Sequence, residues 1–369
     1  MAETLLVELL TEELPPKSLR ALSEAFGAAL VSGLRKSGLS ERDGARLFAT
    51  PRRLAVLVPD VTASGEDKTM EVTGPSVSAP AQAVAGFAKK HGVGVESLER
   101  RAGAKSELYV ARVRIAGQRL DAVLAPLVEE ALKSLPIPKM MRWGSADTLF
   151  VRPVHGLVML HGERVVPGTV LGLSSSSRTS GHRFMGKGHI ALEHADRYEE
   201  RLEEGMVLAS FAKRRAAIEE QLKAEAERRH ATLGDHEDLL DEVTALVEYP
   251  HVYAGAFDRA FLEIPVECLI LTLRKNQKYF PLFDTRDRLL PAFLIVSNMK
   301  VADPRHIIAG NERVVRPRLE DARFFYDQAI RSRIVMVRPE SFQTPVNTSA
   351  SRIARSAWRA SAKRLSTAR

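Results

Sequence analysis

The sequence predicts an α+β protein of more than one domain, and three observations carry that prediction. The chain has 369 residues, 45% of them hydrophobic, whereas single cores usually stop growing near roughly 250–300 residues. Short β-branched runs bounded by Gly and Pro alternate with longer stretches whose apolar residues recur at helical spacing. No internal repeat of fixed period underlies this mixture.

Leu5 to Leu10 is an apolar run that stops at Thr11, Glu12 and Glu13 before Pro15 and Pro16, which predicts a strand entering a turn. Lys17 to Leu39 carries Leu19, Leu22, Phe26, Ala29, Leu30 and Leu34 at helical spacing, with Gly38 as a stop. Arg46 to Leu57 and Val61 to Val72 predict strands around turns, one of them at Pro51. Thr73 to Pro80, rich in Gly, Pro and Ser, predicts a loop. A helix is expected over Ala81 to His91, a strand over Leu108 to Ile115, and a helix over Leu120 to Leu135. Pro136 and Pro138 end that helix and mark the first expected boundary, giving an N-terminal mixed α/β domain over 1–138.

From Lys139 short apolar runs separated by Gly, Pro and Ser predict a β-rich second domain, 139–328, with helical elements. Its helices are expected at Glu193 to Leu202, Ala209 to His230 and Leu239 to Val247. Leu262 to Leu273 and Ala292 to Val296 predict strands around a turn at Asp284 to Arg288. Asn311 to Asp327 closes this body.

The net charge of +8 invites a nucleic-acid reading, but its distribution matters more than its total. Residues 329–369 hold nine Lys and Arg against Glu340 alone, 9 − 1 = +8, so the remainder balances at 45 basic and 45 acidic side chains. This atypical basic tail lacks apolar periodicity, and it predicts either disorder or frame-shifted translation, with a phosphate-docking arm as the rival. The single cysteine, Cys268, excludes a disulfide within the chain and a CxxC zinc site, and its apolar neighbours predict a buried hydrophobe. The acidic start at Glu3 has no signal-peptide pattern, and no window suggests a membrane span, so a cytoplasmic location is expected.

No GxxxxGK[ST], HExxH or GxSxG pattern appears, which weakens generic enzyme readings. His155, His161 and His182 are too separated for a metal-ligand pattern, and Asp235 to Asp238 reads as the acidic first turn of a helix. Three basic clusters are the better candidates. They are Arg178 with His182, Arg183 and Lys187; Arg274 with Lys275 and Lys278; and Arg313 with Arg316 and Arg318. Tyr279 and Phe280 follow the second cluster, where an aromatic beside cations either stacks on an unpaired base or belongs to the core.

Eight segments taken together resemble one family. They are Leu6–Pro16, Phe48–Leu54 (FATPRRL), Lys139–Gly144 (KMMRWG), Phe150–Gly156 (FVRPVHG), Arg178–Phe184 (RTSGHRF), Leu240–Pro250 (LDEVTALVEYP), Lys275–Phe280 (KNQKYF) and Gly310–Tyr326. In this order they resemble the β subunit of bacterial heterotetrameric glycine–tRNA ligases over residues 1–328.

The resemblance implies a subunit that engages tRNA(Gly), partnered by an α subunit in an α2β2 assembly. It places ATP with Mg2+ in the α subunit, leaves this chain without catalytic or metal-binding residues, and makes the chain alone inactive in charging. The three basic clusters become expected contacts for tRNA or the α subunit, and the region around Arg178–Phe184 becomes B3/B4-like. Family members are about twice this length, so the chain is expected to be a truncated or frame-shifted N-terminal part. Two rivals remain: a non-catalytic RNA-binding or assembly module, and a hydrolase acting on mischarged tRNA.

Overall fold

The computed structural model describes residues 2–102, 107–137, 139–144 and 147–331. Its architecture is α+β, with helices packed on small antiparallel sheets. The strand expected at Leu5 is β1 (Ala2–Thr11), the centre of a five-stranded sheet. On one side β1 pairs with β3 (Arg53–Thr62), which forms a tight hairpin with β2 (Arg46–Thr50) across Pro51 and Arg52.

On its other side β1 pairs with β9 (Val154–His161), followed by the short β10 (Arg164–Val165). Because side chains alternate across a strand, Leu5, Val7 and Leu9 face one core and Leu6 faces a second. The first core is closed by α1 (Leu19–Lys36) and α3 (Leu120–Lys133). Leu19, Leu22, Phe26, Leu30 and Leu34 of α1 are fully buried, each contributing about 1.5–3 kcal/mol of burial free energy. The second core is closed by α4 (Tyr198–Glu204), through Tyr198 and Leu202.

The chain forms two compact units. Among the described residues, one comprises those up to Gln221, Glu237–Val252 and Val296–Val301; the other comprises Leu222–His236, Tyr253–Ile295 and those from Ala302 to Arg331. This division departs from a boundary at Pro138, because residues beyond α3 return as β9 to hydrogen-bond along most of β1. Pro136 ends a helix without ending a unit, and Pro138 lies outside the described residues.

The first unit also holds β4 (Lys68–Ser76), α2 (Ala81–Lys90), β5 (Glu99–Ala102) and β6 (Glu107–Ile115), with the strands in the order β4-β6-β5. The loop expected from Thr73 starts later, since β4 runs to Ser76. The whole of β5 is exposed and Glu99, Arg100 and Arg101 are charged, so no apolar alternation announced it. The β-rich stretch after Lys139 supplies the hairpin β7 (Met141–Arg142) with β8 (Leu149–Phe150) and the pair β11 (Thr169–Val170) with β12 (Leu173–Ser174). It also supplies the pair β13 (Arg178–Ser180) with β14 (His189–Ala191).

Two further helices are α5 (Phe211–Glu227) and α6 (Glu237–Thr244). Glu237 and Asp238 stand in the first turn of α6, as an acidic helix start requires.

Lying mostly in the second unit, β15 (His251–Ala256), β17 (Leu289–Ser297) and β16 (Phe280–Phe283) form a sheet in that order. Its core includes Leu269, Leu273, Tyr279, Phe293, Val315 and Leu319. Leu262 to Leu273, expected as strand, instead runs through a 3-10 turn at Arg259–Glu263 into α7 (Val266–Leu271) and a π-helical turn at Thr272–Asn276. A short apolar run does not distinguish a buried helix from a strand, and Pro265, at the N-cap, sets the helical start.

Cys268 is half-buried against this core, and burial pushes its thiol up. The closing helix is α8 (Arg305–Arg331), which continues through Pro317. Beyond Arg331 the basic tail lies outside the described residues. No described helix is long and apolar enough to cross a membrane.

Candidate nucleic-acid interface

The hairpin of β2 and β3 puts Arg53 on the face of the sheet that α4 covers, where its guanidinium is 1% exposed. It donates to the Ser180 carbonyl at 2.9 Å and to Thr50 Oγ1 at 3.3 Å. Glu248 Oε1 lies at 3.4 Å and Glu8 Oε2 at 3.5 Å. Glu8 accepts from the hydroxyls of Thr179 and Tyr198, and Glu248 accepts from Thr50 at 2.7 Å. Burial pulls the Arg53 guanidinium down, but Glu248 and Glu8 outweigh it and hold the group above its ordinary value.

Tyr198 is raised well above the usual phenol range, by burial first and then by Glu8. Arg214, on α5, is also enclosed. It donates to the carbonyls of Leu208, Ala49 and Thr244 at 2.5, 2.7 and 3.0 Å. Burial lowers it to about 9, with Glu248 opposing and Arg53 adding to the fall, so it stays charged at neutral pH. Two cations and two carboxylates therefore balance inside the unit.

This cluster joins segments that lie far apart in sequence. Glu8 belongs to the opening segment, Arg53 to FATPRRL, Thr179 and Ser180 to RTSGHRF, and Glu248 to LDEVTALVEYP. Asn298 Oδ1 adds a clamp by accepting from the N–H groups of Glu248 and Tyr249 at 2.7 and 3.1 Å. The ionised groups of the cluster are enclosed and each has a partner, an arrangement that rigidifies a fold.

In front of the cluster the chain displays cations. Arg178 begins β13, and Arg183 and Lys187 lie in the loop between β13 and β14; all three are exposed. Among the described residues none of the three has an acidic partner, whereas Arg164 pairs with Asp121 and Arg201 with Glu193 and Glu204. From Arg164 to Leu192 the sequence contains no Asp or Glu at all. His182, expected as a contact, is instead 1% exposed. Its Nδ1 accepts from the Phe184 and Met185 N–H groups at 3.2 Å each, which makes it the internal brace of the loop.

Two residues that motif reading passed over belong to this surface. Phe184 is 72% exposed, and Lys300, also exposed, is brought to the loop by a contact from its N–H to Met185 Sδ at 3.4 Å. Nothing in the local sequence of Lys300 signals this placement. The side-chain exposure of Phe184 was equally hidden, although its position between Arg183 and Lys187 was visible.

In the second unit Lys275 is exposed on the π-helical turn, while Arg274 and Lys278 are half-buried. Lys278 has a left-handed backbone, φ 62°. Arg313, Arg316 and Arg318 are exposed on α8, and none has an acidic partner among the described residues. Tyr279 and Phe280 are 6% and 0% exposed, which removes them as base-stacking candidates. Tyr279 stacks on Phe293 at 4.8 Å between ring centroids and donates to Asn311 Oδ1 at 2.5 Å. They are core residues because β16 and the sheet need apolar side chains there.

The arrangement defines a class: an α+β scaffold, locked by a buried ion cluster, that presents unpaired cations on an acid-free loop. Residues 5–363 match the family model described as glycyl-tRNA synthetase beta subunit, and the chain belongs to that family. The match runs past Gln328, where the motif resemblance stops.

The chain is 50% identical over 368 residues to the glycine–tRNA ligase beta subunit of Aromatoleum aromaticum, covering 95% of this chain and 53% of that protein. It is 47% identical over 367 residues to the subunit of the same name from Neisseria meningitidis and 41% over 365 residues to that of Shewanella halifaxensis. Each of these two alignments covers 96% of this chain and 53% of the relative. The chain thus spans about half the length of the curated relatives it matches.

Proposed function

We propose that this chain is the tRNA-handling N-terminal part of a glycine–tRNA ligase β subunit, acting in the cytoplasm with an α subunit in an α2β2 assembly. The reading joins family membership to one structural observation, the unpaired cations Arg178, Arg183 and Lys187 on an acid-free, internally braced loop. Counterion release from phosphates favours such a display. Arg274, Lys275, Lys278, Arg313, Arg316 and Arg318 are proposed as additional contacts to tRNA or to the α subunit. A B3/B4-like fold for the region around Arg178–Phe184 belongs to the same proposal.

In this reading ATP and Mg2+ serve the whole ligase from the α subunit. The α subunit makes glycyl adenylate. The terminal ribose hydroxyl of tRNA(Gly) then attacks the glycyl carbonyl, forming the ester and releasing AMP. The β subunit holds the tRNA so that this attack occurs within one complex.

Co-expression with the α subunit, followed by assays of complex formation and glycine charging, tests the assembly. Titration of tRNA(Gly) against salt tests the interface. Replacing Arg178, Arg183 and Lys187 together by Gln should flatten the salt dependence of log K by about 0.7–0.9 per lost phosphate contact. Unchanged affinity and slope refute the contact.

A further inference from the structure

The geometry points to Phe184 as a stacking platform for an unpaired RNA base, an inference that rests on the RNA-binding reading above and specifies how that surface works. Phe184 is the most exposed large hydrophobic side chain among the described residues, at 72%. An apolar ring on a pliant loop would fold back against the body, but this loop has little freedom to do so.

The Gly181 N–H donates to the Gly188 carbonyl at 2.9 Å, the His182 N–H to Gly205 at 2.8 Å, and the Gly186 N–H to His182 at 2.8 Å. The N–H of Phe184 itself is held by the buried His182 ring. A Cβ on Gly186 would lie 2.6 Å from the His182 nitrogen, and one on Gly181 would lie 2.8 Å from the Gly205 oxygen, so this close packing requires glycine at both. Arg53 fixes the base of the loop through the Ser180 carbonyl. The ring is therefore displayed on a rigid mount.

Its neighbours identify the occupant. Arg183 adjoins it, Lys187 follows in the same loop, and Lys300 is tied to that loop beside Met185. A planar apolar face among cations, in a stretch without acids, matches a single-stranded nucleotide, whose base stacks while its flanking phosphates meet the charges. Paired bases hide their faces within the helical stack, so duplex RNA gains nothing from Phe184. An acidic protein surface would meet the cations but would leave the ring without a stacking partner.

The test uses the full chain and a fluorescently labelled tRNA(Gly) transcript, with a duplex RNA as control. Phe184→Leu keeps an apolar side chain but loses the aromatic face. It should weaken tRNA binding about 5- to 150-fold and leave duplex binding and thermal melting unchanged, while Phe184→Trp retains the affinity. Repeating the titration with a transcript trimmed of its unpaired 3′ nucleotides assigns the base. If Phe184→Leu no longer matters, the stacked base lies at the 3′ end; if it still matters, the base lies in a loop.

If Phe184→Leu binds tRNA as the parent does while Arg183→Gln with Lys187→Gln weakens binding, stacking is refuted and the cation interface stands. If Phe184→Leu instead impairs co-purification with the α subunit and spares RNA binding, the ring is a protein contact and the inference falls. If the parent chain binds no tRNA, both readings fall.

Discussion

Replacing Arg53 by Met removes one cation from a buried cluster of two cations and two carboxylates. Arg53, Glu8 and Glu248 are all about 1% exposed, so solvent screening offers little relief. The side chain takes with it the donors to the Ser180 carbonyl and Thr50 and the contacts at 3.4 and 3.5 Å to Glu248 and Glu8. Breaking a buried ion pair from one side costs about 3–5 kcal/mol, because the partner charge stays enclosed.

With a melting shift of about 2–4 °C per kcal/mol for a unit of this size, the variant should melt roughly 6–20 °C lower. Charge counting then predicts a rescue. Arg53→Met leaves Arg214 against Glu8 and Glu248, a net of −1, whereas adding Glu8→Gln restores zero. The double variant should recover a substantial part of the loss, although the Ser180 carbonyl still lacks its donor. Thermal melts followed by far-ultraviolet circular dichroism read both effects. A single variant that melts within about 1 °C of the parent, or a double variant less stable than the single, refutes the claim that the cluster is held by charge balance.

Three further outcomes follow from local geometry. Gly186→Ala should displace the loop carrying Arg183 and Phe184, since the new methyl meets backbone atoms of His182 at 2.6 and 2.7 Å. Faster amide hydrogen exchange at Phe184 and Met185 would register it, and unchanged protection would contradict the packing argument. The Asp284 carboxyl is lowered to about 2, chiefly by the backbone N–H of Arg288, then by its side chain and the Arg286 N–H. A depressed carboxylate stabilises the fold above its unfolded value, near about 3.9, and loses that contribution as pH falls towards 2. Asp284→Asn should therefore remove part of the stability change between those values, read as a smaller difference in melting temperature. Cys268, raised by burial and by Glu267, should react with iodoacetamide at neutral pH more slowly than a free thiol, measured by mass spectrometry.

How much was legible in the sequence depended on what each residue's role required of its neighbours. The helix at Leu19–Lys36 and the strand at Ala2–Thr11 were visible because burial imposes a period on their own residues. The helical character of Val266–Leu271 was not, since six apolar-rich residues between turns fit either state. The two-unit division escaped because it depends on β9 returning to β1, a pairing of segments more than 140 residues apart. The cation clusters were visible as composition. Their separation into an exposed Arg183, a buried His182 and half-buried Arg274 and Lys278 needed the fold.

The segments that carry the family resemblance build the interior of the first unit. Glu8, Thr50, Arg53, Thr179 and Glu248 come from four separate motifs, yet all five side chains meet in one enclosed network. Charged and hydroxyl side chains at such positions are costly to bury unless every partner is present, so each motif constrains the other three. This explains why the motifs are specific as a set although each is modest alone. It also explains why their enclosed polar residues are poor choices for RNA contact: Arg53 and Thr179 face inward, while Arg178 and Arg183, both within the RTSGHRF motif, face out. Substitutions at the inward positions should act through stability and those at the outward positions through binding and its salt dependence, so the two classes separate when melting temperature and tRNA affinity are measured on the same variants.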